Sequence, residues 1–511
     1  MLSESPAALL LVLVLLAFVV RQVRRARQTC LPLPPGPPRL PIIGNALDIP
    51  TKYMEVKFDE LSRRYGDLVY LDAAGQPMLI LGTHEAAVEL LDKRSAIYSD
   101  RVYSPMVELA GLDWVITMIH YGPWWRRHRR ALHRFFNPNA VVQFRALQRT
   151  QVNRFLVRLL DRPEAFKGHI KHLFAATIMR IAYGVEVKDE HDEYVSLAEE
   201  GLAAFTVLLV PGKYLVELFP VLRHLPSWLP GVRFKKDAAW GRAAARRLRE
   251  IPWTRTIEAM GVAEPSMTRT LMEHISGLEG QEAAEEEEVA RNTVAAAYGA
   301  GADTTLSAIQ AFFLVMASFP DAQRKAQAEL DAVVGPHRLP DFSDEAQLPY
   351  VSAVIKECLR WHTIVPLGIP HRLIQDDEYR GYRIPKGTLV TPNIWAYSRD
   401  ETHYPNSREF LPERFLADGK IDRSVLDPAE YAFGFGRRLC PGRHFAEASL
   451  FLILSSVLHT LSISPPLDDR GNPIKLEGKA TSGIISYPEP FDCIIEPRGA
   501  WAEVLIRSSE Q

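Results

Sequence analysis

A chain of 511 residues in which 47 % are apolar carries enough hydrophobic side chain for a large buried core and too much for a disordered protein. A formal net charge of −2 argues against a dedicated nucleic-acid binder and leaves room only for local basic patches. The four cysteines, Cys30, Cys358, Cys440 and Cys493, are too scattered for a disulfide framework, and no pair has zinc-ligand spacing, so the main body is expected in a reducing compartment.

Along the chain, residues 6–20 (PAALLLVLVLLAFVV) are an unbroken apolar run followed by Arg21, Arg24, Arg25 and Arg27. At ~1.5 Å per helical residue the run is short for a hydrocarbon core of ~30 Å, a gap that snorkelling arginines and bilayer thinning close. No basic residue precedes the run and no A-x-A-like site follows it, which favours an anchor over a cleaved signal. Residues 1–30 are therefore expected to be a transmembrane anchor with a basic flank, the body lying on the cytoplasmic side. Residues 31–45 (LPLPPGPPRLPIIGN) are too proline-dense for a helix and read as a stiff hinge. Residues 46–511 read as one domain. Apolar spacing predicts helices over 58–65, 83–93, 124–136, 139–160, 288–317, 321–334 and 348–361. Short paired strands are predicted over 68–71 and 77–81 around Ala74–Gly75, and another small sheet within 380–390. The acidic stretch 281–288 reads as a solvated loop feeding the helix that follows.

Residues 433–442 (FGFGRRLCPG) carry the strongest chemical signal. A lone cysteine between glycines suits a thiolate metal ligand, which needs small neighbours for close approach of a macrocycle and backbone N–H donors to moderate the sulfur's charge. The rival reading is a buried structural cysteine. The stretch matches F-x-x-G-x-R-x-C-x-G at every defined position, and in this it resembles the cytochrome P450 family. The resemblance implies that Cys440 ligates haem iron, that Arg438 pairs with a haem propionate and that Phe433 shields the sulfur, with Gly442 closing the loop.

Other segments extend the resemblance. Glu357 and Arg360, three apart in ECLR, share a helix face; alone they would make a surface salt bridge worth ~0.5 kcal/mol. The family's pattern adds Arg414 from PERF, implying a buried triad that serves fold stability rather than chemistry. In AGADTT, Gly301 and two threonines weaken a helix mid-course, and a threonine hydroxyl can take the carbonyl four residues back. The rival there is an ordinary packing kink. The family's [AG]-G-x-[DE]-T implies that Gly301 leaves room for dioxygen while Asp303 and Thr304 relay protons. Trp125 and Arg129 fit W-x-x-x-R, implying propionate contacts, and His371 in IPHR stands where the family places a basic residue, with Arg372 beside it as the alternative. A nucleic-acid patch at WWRRHRR is disfavoured by the balanced charge.

The implied fold is that of the family: mainly α with small β-sheets, a single large domain behind an N-terminal anchor. The implied function is a haem b monooxygenase fed with electrons from NADPH. With no flavin or nicotinamide domain visible, those electrons come through a partner, NADPH–cytochrome P450 reductase, with cytochrome b5 as a further candidate, at the endoplasmic reticulum membrane. Arg126, Arg127, Arg130, Arg437 and Arg443 are candidates for a docking face, solvated surface arginines being the alternative. By family position the substrate pocket is expected from 102–116, 205–210, 296–304, 364–369 and 482–485, largely apolar stretches. The chain resembles fungal microsomal members that tailor secondary metabolites, the O-methylsterigmatocystin oxidoreductase-like group among them, so hydroxylation of a terpenoid or polyketide is expected. Two rivals are a haem-thiolate isomerase or dehydratase without need of dioxygen, which retention of Asp303 and Thr304 disfavours, and a non-catalytic haem-binding sensor or scaffold.

Overall fold

The computed structural model describes residues 31–188, 192–210, 212–259 and 264–509; the expected anchor, residues 1–30, lies outside them. The longer helices are α1 (Met54–Tyr65), α2 (Pro123–Phe136), α3 (Arg145–Asp161), α4 (Phe166–Tyr183), α5 (Glu193–Leu208), α6 (Phe234–Glu258), α7 (Met267–Ile275), α8 (Gly280–Ser318), α9 (Pro320–Val333), α10 (Pro349–Trp361), α11 (Arg443–Thr460) and α12 (Ala500–Ser508). Among the described residues only α8 is long and apolar enough to cross a membrane, and most of it is buried in the protein. It is the central helix of the core. Phe312, Phe313 and Met316 pack with α3, α4, α10 and α11 at one end. Val294 and Tyr298 pack with α2, α4, α6 and α7 at the other.

A four-stranded sheet lies to one side in the order β1 (Leu68–Ala73), β2 (Gln76–Leu81), β6 (Leu389–Pro392), β3 (His371–Arg372). The β1–β2 hairpin turns at Ala74 and Gly75, both at positive φ, as a tight two-residue turn demands. The predicted sheet within 380–390 is in fact divided. Tyr382–Ile384 (β5) pairs with Asp377–Tyr379 (β4), whereas β6 leaves to run parallel to β2. Leu416–Ala417 with Lys420–Ile421 (β7, β8) and Leu461–Ser464 with Ile494–Pro497 (β9, β10) complete the small sheets.

Two predicted segments differ in detail. The helix expected over 139–160 begins as a 3₁₀ turn, Ala140–Phe144, because the Asn137 side chain takes the amides of Asn139 and Ala140 before α3 starts. The acidic stretch 281–288 is helical, not a loop. Gly280 at φ 62° opens the helix, the glutamates sit at its favourable N-terminal end, and Arg127 on α2 meets Glu285 and Glu286 at 2.5 and 2.8 Å.

Candidate functional site

The Cys440 loop is built by close backbone approach. Gly436 has φ 55°, and a Cβ there would lie 2.1 Å from the Leu91 carbonyl oxygen, so glycine alone fits. Leu91 belongs to a π-helical turn, Val88–Lys93, that widens the end of the predicted 83–93 helix and aims Asp92 at the Gly436 amide. Across the loop, the Cys440 amide donates to the Phe433 carbonyl at 2.8 Å. The sulfur sits at the start of α11, where the amides of Gly442 and Arg443 donate to it. Burial pushes the thiol up, while these donors and the Arg129 charge pull the other way. Phe433 is half-buried, its ring 5.7 Å from the Arg443 guanidinium. Among the described residues no His/Cys/Asp/Glu cluster could hold a metal by itself. A single thiolate suits a metal carried by a macrocycle.

Positive charge gathers beside this loop. On α2, Trp125 and Arg129 are four apart and share a face; Arg129 Nη1 donates to the Leu439 carbonyl at 2.5 Å. Arg438 reaches the carbonyls of Ser99, Ile116 and Ile119 at 2.8, 3.0 and 2.7 Å, its guanidinium 4.6 Å above the Trp125 ring. Arg101, 4 % exposed, donates to the carbonyls of Thr117, Ile369 and Pro370. Among the described residues none of these three guanidiniums forms an ion pair with a carboxylate. Their environment disfavours the charge: burial pulls Arg101 well down and Arg129 down, and Arg438 is pushed down to about 10. The buried Trp125 indole N–H has no hydrogen-bond partner. His371 is buried too, its Nδ1 donating to the Tyr98 carbonyl at 2.8 Å; burial and the neighbouring Arg101 charge hold it neutral. Arg372, the alternative to His371, turns instead toward Asp100 at 3.9 Å.

The residues present fit a porphyrin dicarboxylate. Carboxylates beside Arg101, Arg129, Arg438 and the Trp125 indole would supply the missing negative charge and the missing acceptor. Sequence reasoning passed over Arg101, although it directly precedes 102–116, a segment expected to line the pocket.

On α8 the glycine faces a neighbouring helix. A Cβ on Gly301 would meet Ile178 Cγ1 at 2.9 Å, so the absence of a side chain lets α8 and α4 pack closely. The open face is at Ala300, which is exposed although Tyr298 and Thr305 are buried. The Thr304 hydroxyl donates to the Ala300 carbonyl at 3.0 Å. Asp303 is half-buried and burial raises its carboxyl; the Tyr487 hydroxyl, as hydrogen-bond donor, opposes that shift.

Away from the sulfur, Glu357 and Arg360 are both 0 % exposed. All five guanidinium donors of Arg360 are used: two on the Glu357 carboxylate at 2.7 Å each, three on the carbonyls of Ser398, Ser407 and Glu409. Arg414 adds a 3.2 Å contact to Glu357, and the Leu411 amide a 2.8 Å one. Of the expected pocket stretches, Met106, Val107 and Leu112 pack with Ala204 and Leu208. Trp114 and Ile116 meet Ala295 and Ala296, and the Ser486 amide bonds the Ile364 carbonyl.

A helical body with one half-buried thiol at a helix start, ringed by arginines that form no ion pair among the described residues, fits a thiolate-ligated porphyrin protein. The cytochrome P450 family profile matches residues 34–493. Among curated proteins, the chain is 43 % identical to cytochrome P450 monooxygenase COX2 of Coprinopsis cinerea, over 94 % of this chain and 91 % of the relative. It is 42 % identical to COX1 of the same fungus over 99 % and 100 %, and 40 % identical to the tryptamine 4-monooxygenase of Psilocybe cyanescens over 94 % of each. The chain belongs to the cytochrome P450 family. It is a haem-dependent monooxygenase, an oxidoreductase that incorporates oxygen from O2.

Proposed function

We propose that the chain hydroxylates an apolar small molecule of fungal secondary metabolism, a terpenoid or polyketide skeleton, with Cys440 as the thiolate ligand. The overall balance is substrate–H + O2 + NADPH + H⁺ giving substrate–OH + H2O + NADP⁺, electrons arriving from NADPH–cytochrome P450 reductase. When bound, the haem iron supplies dioxygen reduction and C–H oxidation. The chain's own residues do the rest. The Gly442 and Arg443 amides and the start of α11 steady the sulfur's negative charge. Arg101, Arg129, Arg438 and Trp125 hold the carboxylates, and His371, neutral with its Nδ1 proton on Tyr98, offers Nε2 beside them. Asp303 takes a proton from the solvent side and Thr304, its own hydrogen on the Ala300 carbonyl, keeps an acceptor lone pair in the cavity. The apolar walls leave substrate position to decide the product. The observation that carries this reading is the set of three arginines around one thiol that form no ion pair among the described residues. The test is co-expression with the reductase and a metabolite comparison against Cys440→Ala, fed with terpenoid, polyketide and arylalkylamine panels. No product difference on any panel would remove the substrate proposal.

Membrane attachment through residues 1–30, at the endoplasmic reticulum with the body cytosolic, belongs to the same proposal. It is supported by exposed Leu40, Ile42 and Leu47 just beyond the hinge and by exposed Leu215, Val221 and Trp228. The segment that follows the first group approaches the one that leads into the second, a Cβ on Gly212 lying 3.9 Å from Thr51. Removing residues 1–30 should leave much of the protein carbonate-extractable yet still vesicle-associated.

For reductase docking, Arg126, Arg130 and Arg437 are exposed near the sulfur loop, whereas Arg127 is taken by Glu285 and Glu286, and Arg443 by Glu447. Charge reversal of the first three should slow reductase-driven turnover at low salt and lose its effect as salt rises. Unchanged turnover at low salt would remove the docking face.

A further inference from the structure

Along one stripe of α8 exposure falls away in steps. Ala300 is exposed, Thr304 is half-buried and Ser307 is buried, although positions four and seven apart share a helix face. What closes the stripe is a hairpin from near the end of the chain. It is bridged antiparallel at Ala480 and Pro488 and tied internally by Thr481 N to the Tyr487 carbonyl at 2.7 Å and Ser486 Oγ to the Thr481 carbonyl at 2.9 Å. Ser307 Oγ donates to the Ser486 carbonyl at 2.5 Å. His362 Nε2 lies 3.1 Å from the same carbonyl and 2.9 Å from the Ser307 oxygen. A carbonyl only accepts, so the imidazole carries its proton on Nε2 and directs it at these two oxygens.

Ser307, His362 and Ser486 are each at most 5 % exposed, so this is a buried polar knot joining three segments: α8, the residues after α10 and the hairpin. Each segment is also held from elsewhere. The His362 amide donates to the Cys358 carbonyl at 3.1 Å, and the neighbouring Thr363 Oγ1 bonds Ser398 Oγ at 3.0 Å. The Ser486 amide donates to the Ile364 carbonyl at 2.8 Å, joining the hairpin to the 364–369 stretch a second time. Arg101 holds the far end of that stretch through the Ile369 carbonyl at 2.7 Å. The hairpin tip is fixed where the Tyr53 amide donates to Ser482 Oγ at 2.9 Å. Ile364, Ile484 and Ile485 stay half-buried on the two segments that the knot brings to the closed end of the stripe.

We propose that His362 is a positioning residue for the substrate. With Ser307 as its partner, it sets how far the wall made by Ile364 and the 482–485 hairpin stands from the open face at Ala300 and Thr304. That distance decides which substrate carbon is presented. His362 touches no substrate, since its ring is buried behind the wall. The inference rests on the reading of 364–369 and 482–485 as pocket walls. A satisfied hydrogen-bond knot fixes distance and direction, whereas apolar packing alone would let the hairpin shift against α8.

The test uses the full chain with haem and two probes, imidazole and 4-phenylimidazole, each titrated by the Soret shift of the ferric protein. Imidazole reports the iron and its surroundings; the ratio of the two affinities reports what the wall adds around the phenyl ring. General loosening of the fold moves both affinities and leaves their ratio. Ile364→Ala and Ile485→Ala trim the wall itself and should move the ratio. His362→Leu should lower it about tenfold, part of what burying an aromatic ring is worth. Ser307→Ala should lower it by less, because the imidazole still holds the Ser486 carbonyl, and His362→Gln, which keeps a donor, should restore most of it. Hydrogen exchange reads the protein directly: relative to α3, the peptide 480–488 should exchange about tenfold faster in His362→Leu, as for a buried carbonyl losing a partner. If the isoleucine variants move the ratio while His362→Leu leaves it at the wild-type value, the inference is overturned and the wall reading stands. If neither isoleucine variant moves it, the wall reading fails and takes the inference with it. Where His362→Leu does not accumulate as haem protein, an unchanged ratio in Ser307→Ala overturns the inference equally.

Discussion

The protein holds two inward-facing groups of arginine, and they are solved in opposite ways. Around Glu357, every donor of Arg360 is matched, two by a carboxylate and three by carbonyls, and Arg414 and the Leu411 amide fill the carboxylate's remaining capacity. Around Cys440, Arg101, Arg129 and Arg438 bond backbone carbonyls that carry no charge, and burial works against their protonation. A saturated group is finished within the polypeptide. A group of like charges with neutral partners is finished only by something that brings negative charge. The difference separates a structural device from a binding site without appeal to position in the chain.

The largest expected effect lies at the proposed ligand, Cys440. Cys440→Ala should abolish the red-shifted Soret absorption of the reduced, carbon-monoxide-treated protein and lower turnover at least ~10³-fold, as expected for a residue without which the chemistry has no electron-rich ligand. Helical content should persist, since the loop is held by Gly436, Asp92 and the Phe433 carbonyl rather than by the sulfur. Retention of the red-shifted band would break the comparison at its root.

Next in size is the saturated group. Glu357→Gln leaves the Arg360 charge uncompensated in a fully buried place and should cost about 3–5 kcal/mol, read as a lower denaturant midpoint. A loss under ~1 kcal/mol would show that the carbonyls alone satisfy Arg360, and the two arginine groups would then differ less than their contacts suggest.

A buried histidine marks a middle course, staying neutral. Burial lowers His362 to about 4 from its ordinary 6.5. The unfolded chain binds that proton more readily, so stability should be full above pH 6.5 and fall as pH drops from 6.5 toward 4, by up to ~3 kcal/mol. His362→Gln keeps a donor for Ser307 and Ser486 and should flatten that part of the stability–pH curve. A slope equal to wild type would assign it to other groups.

How much of this was legible in the sequence depends on what each residue's role rests on. Cys440, Glu357 and Arg360 stand in short motifs whose spacing already places them together. Arg414 was legible only through the family's pattern, because nothing in the spacing from Glu357 says that a chain returning after 57 residues meets the same carboxylate. Arg101 was missed for the same reason without a motif to rescue it: it reaches Ile369 and Pro370 across 268 and 269 residues. At Gly301 helical periodicity says that a position is open without saying toward what, and only packing shows that Ile178 stands opposite. The division of 380–390 between two sheets is likewise a matter of partners: β6 looks like the mate of β5 until β2 is placed beside it.

The smallest effect separates charge from scaffolding within the unsaturated group. Arg438 does two things at once: it carries a positive charge and its fork ties together the carbonyls of Ser99, Ile116 and Ile119. Arg438→Met removes both and should speed haem loss to an apomyoglobin acceptor about 10- to 100-fold, the range for losing one supporting contact of a bound metal centre. Arg438→Lys keeps the charge and gives up the fork. If the missing negative charge is what this group awaits, lysine should recover most of the retention, because a point charge still attracts a carboxylate. If lysine loses haem as fast as methionine, the guanidinium's work is to hold the 99–119 segment in place. The arginines at Cys440 would then resemble those at Glu357 in kind, differing only in whether their acceptors are carbonyls or a carboxylate.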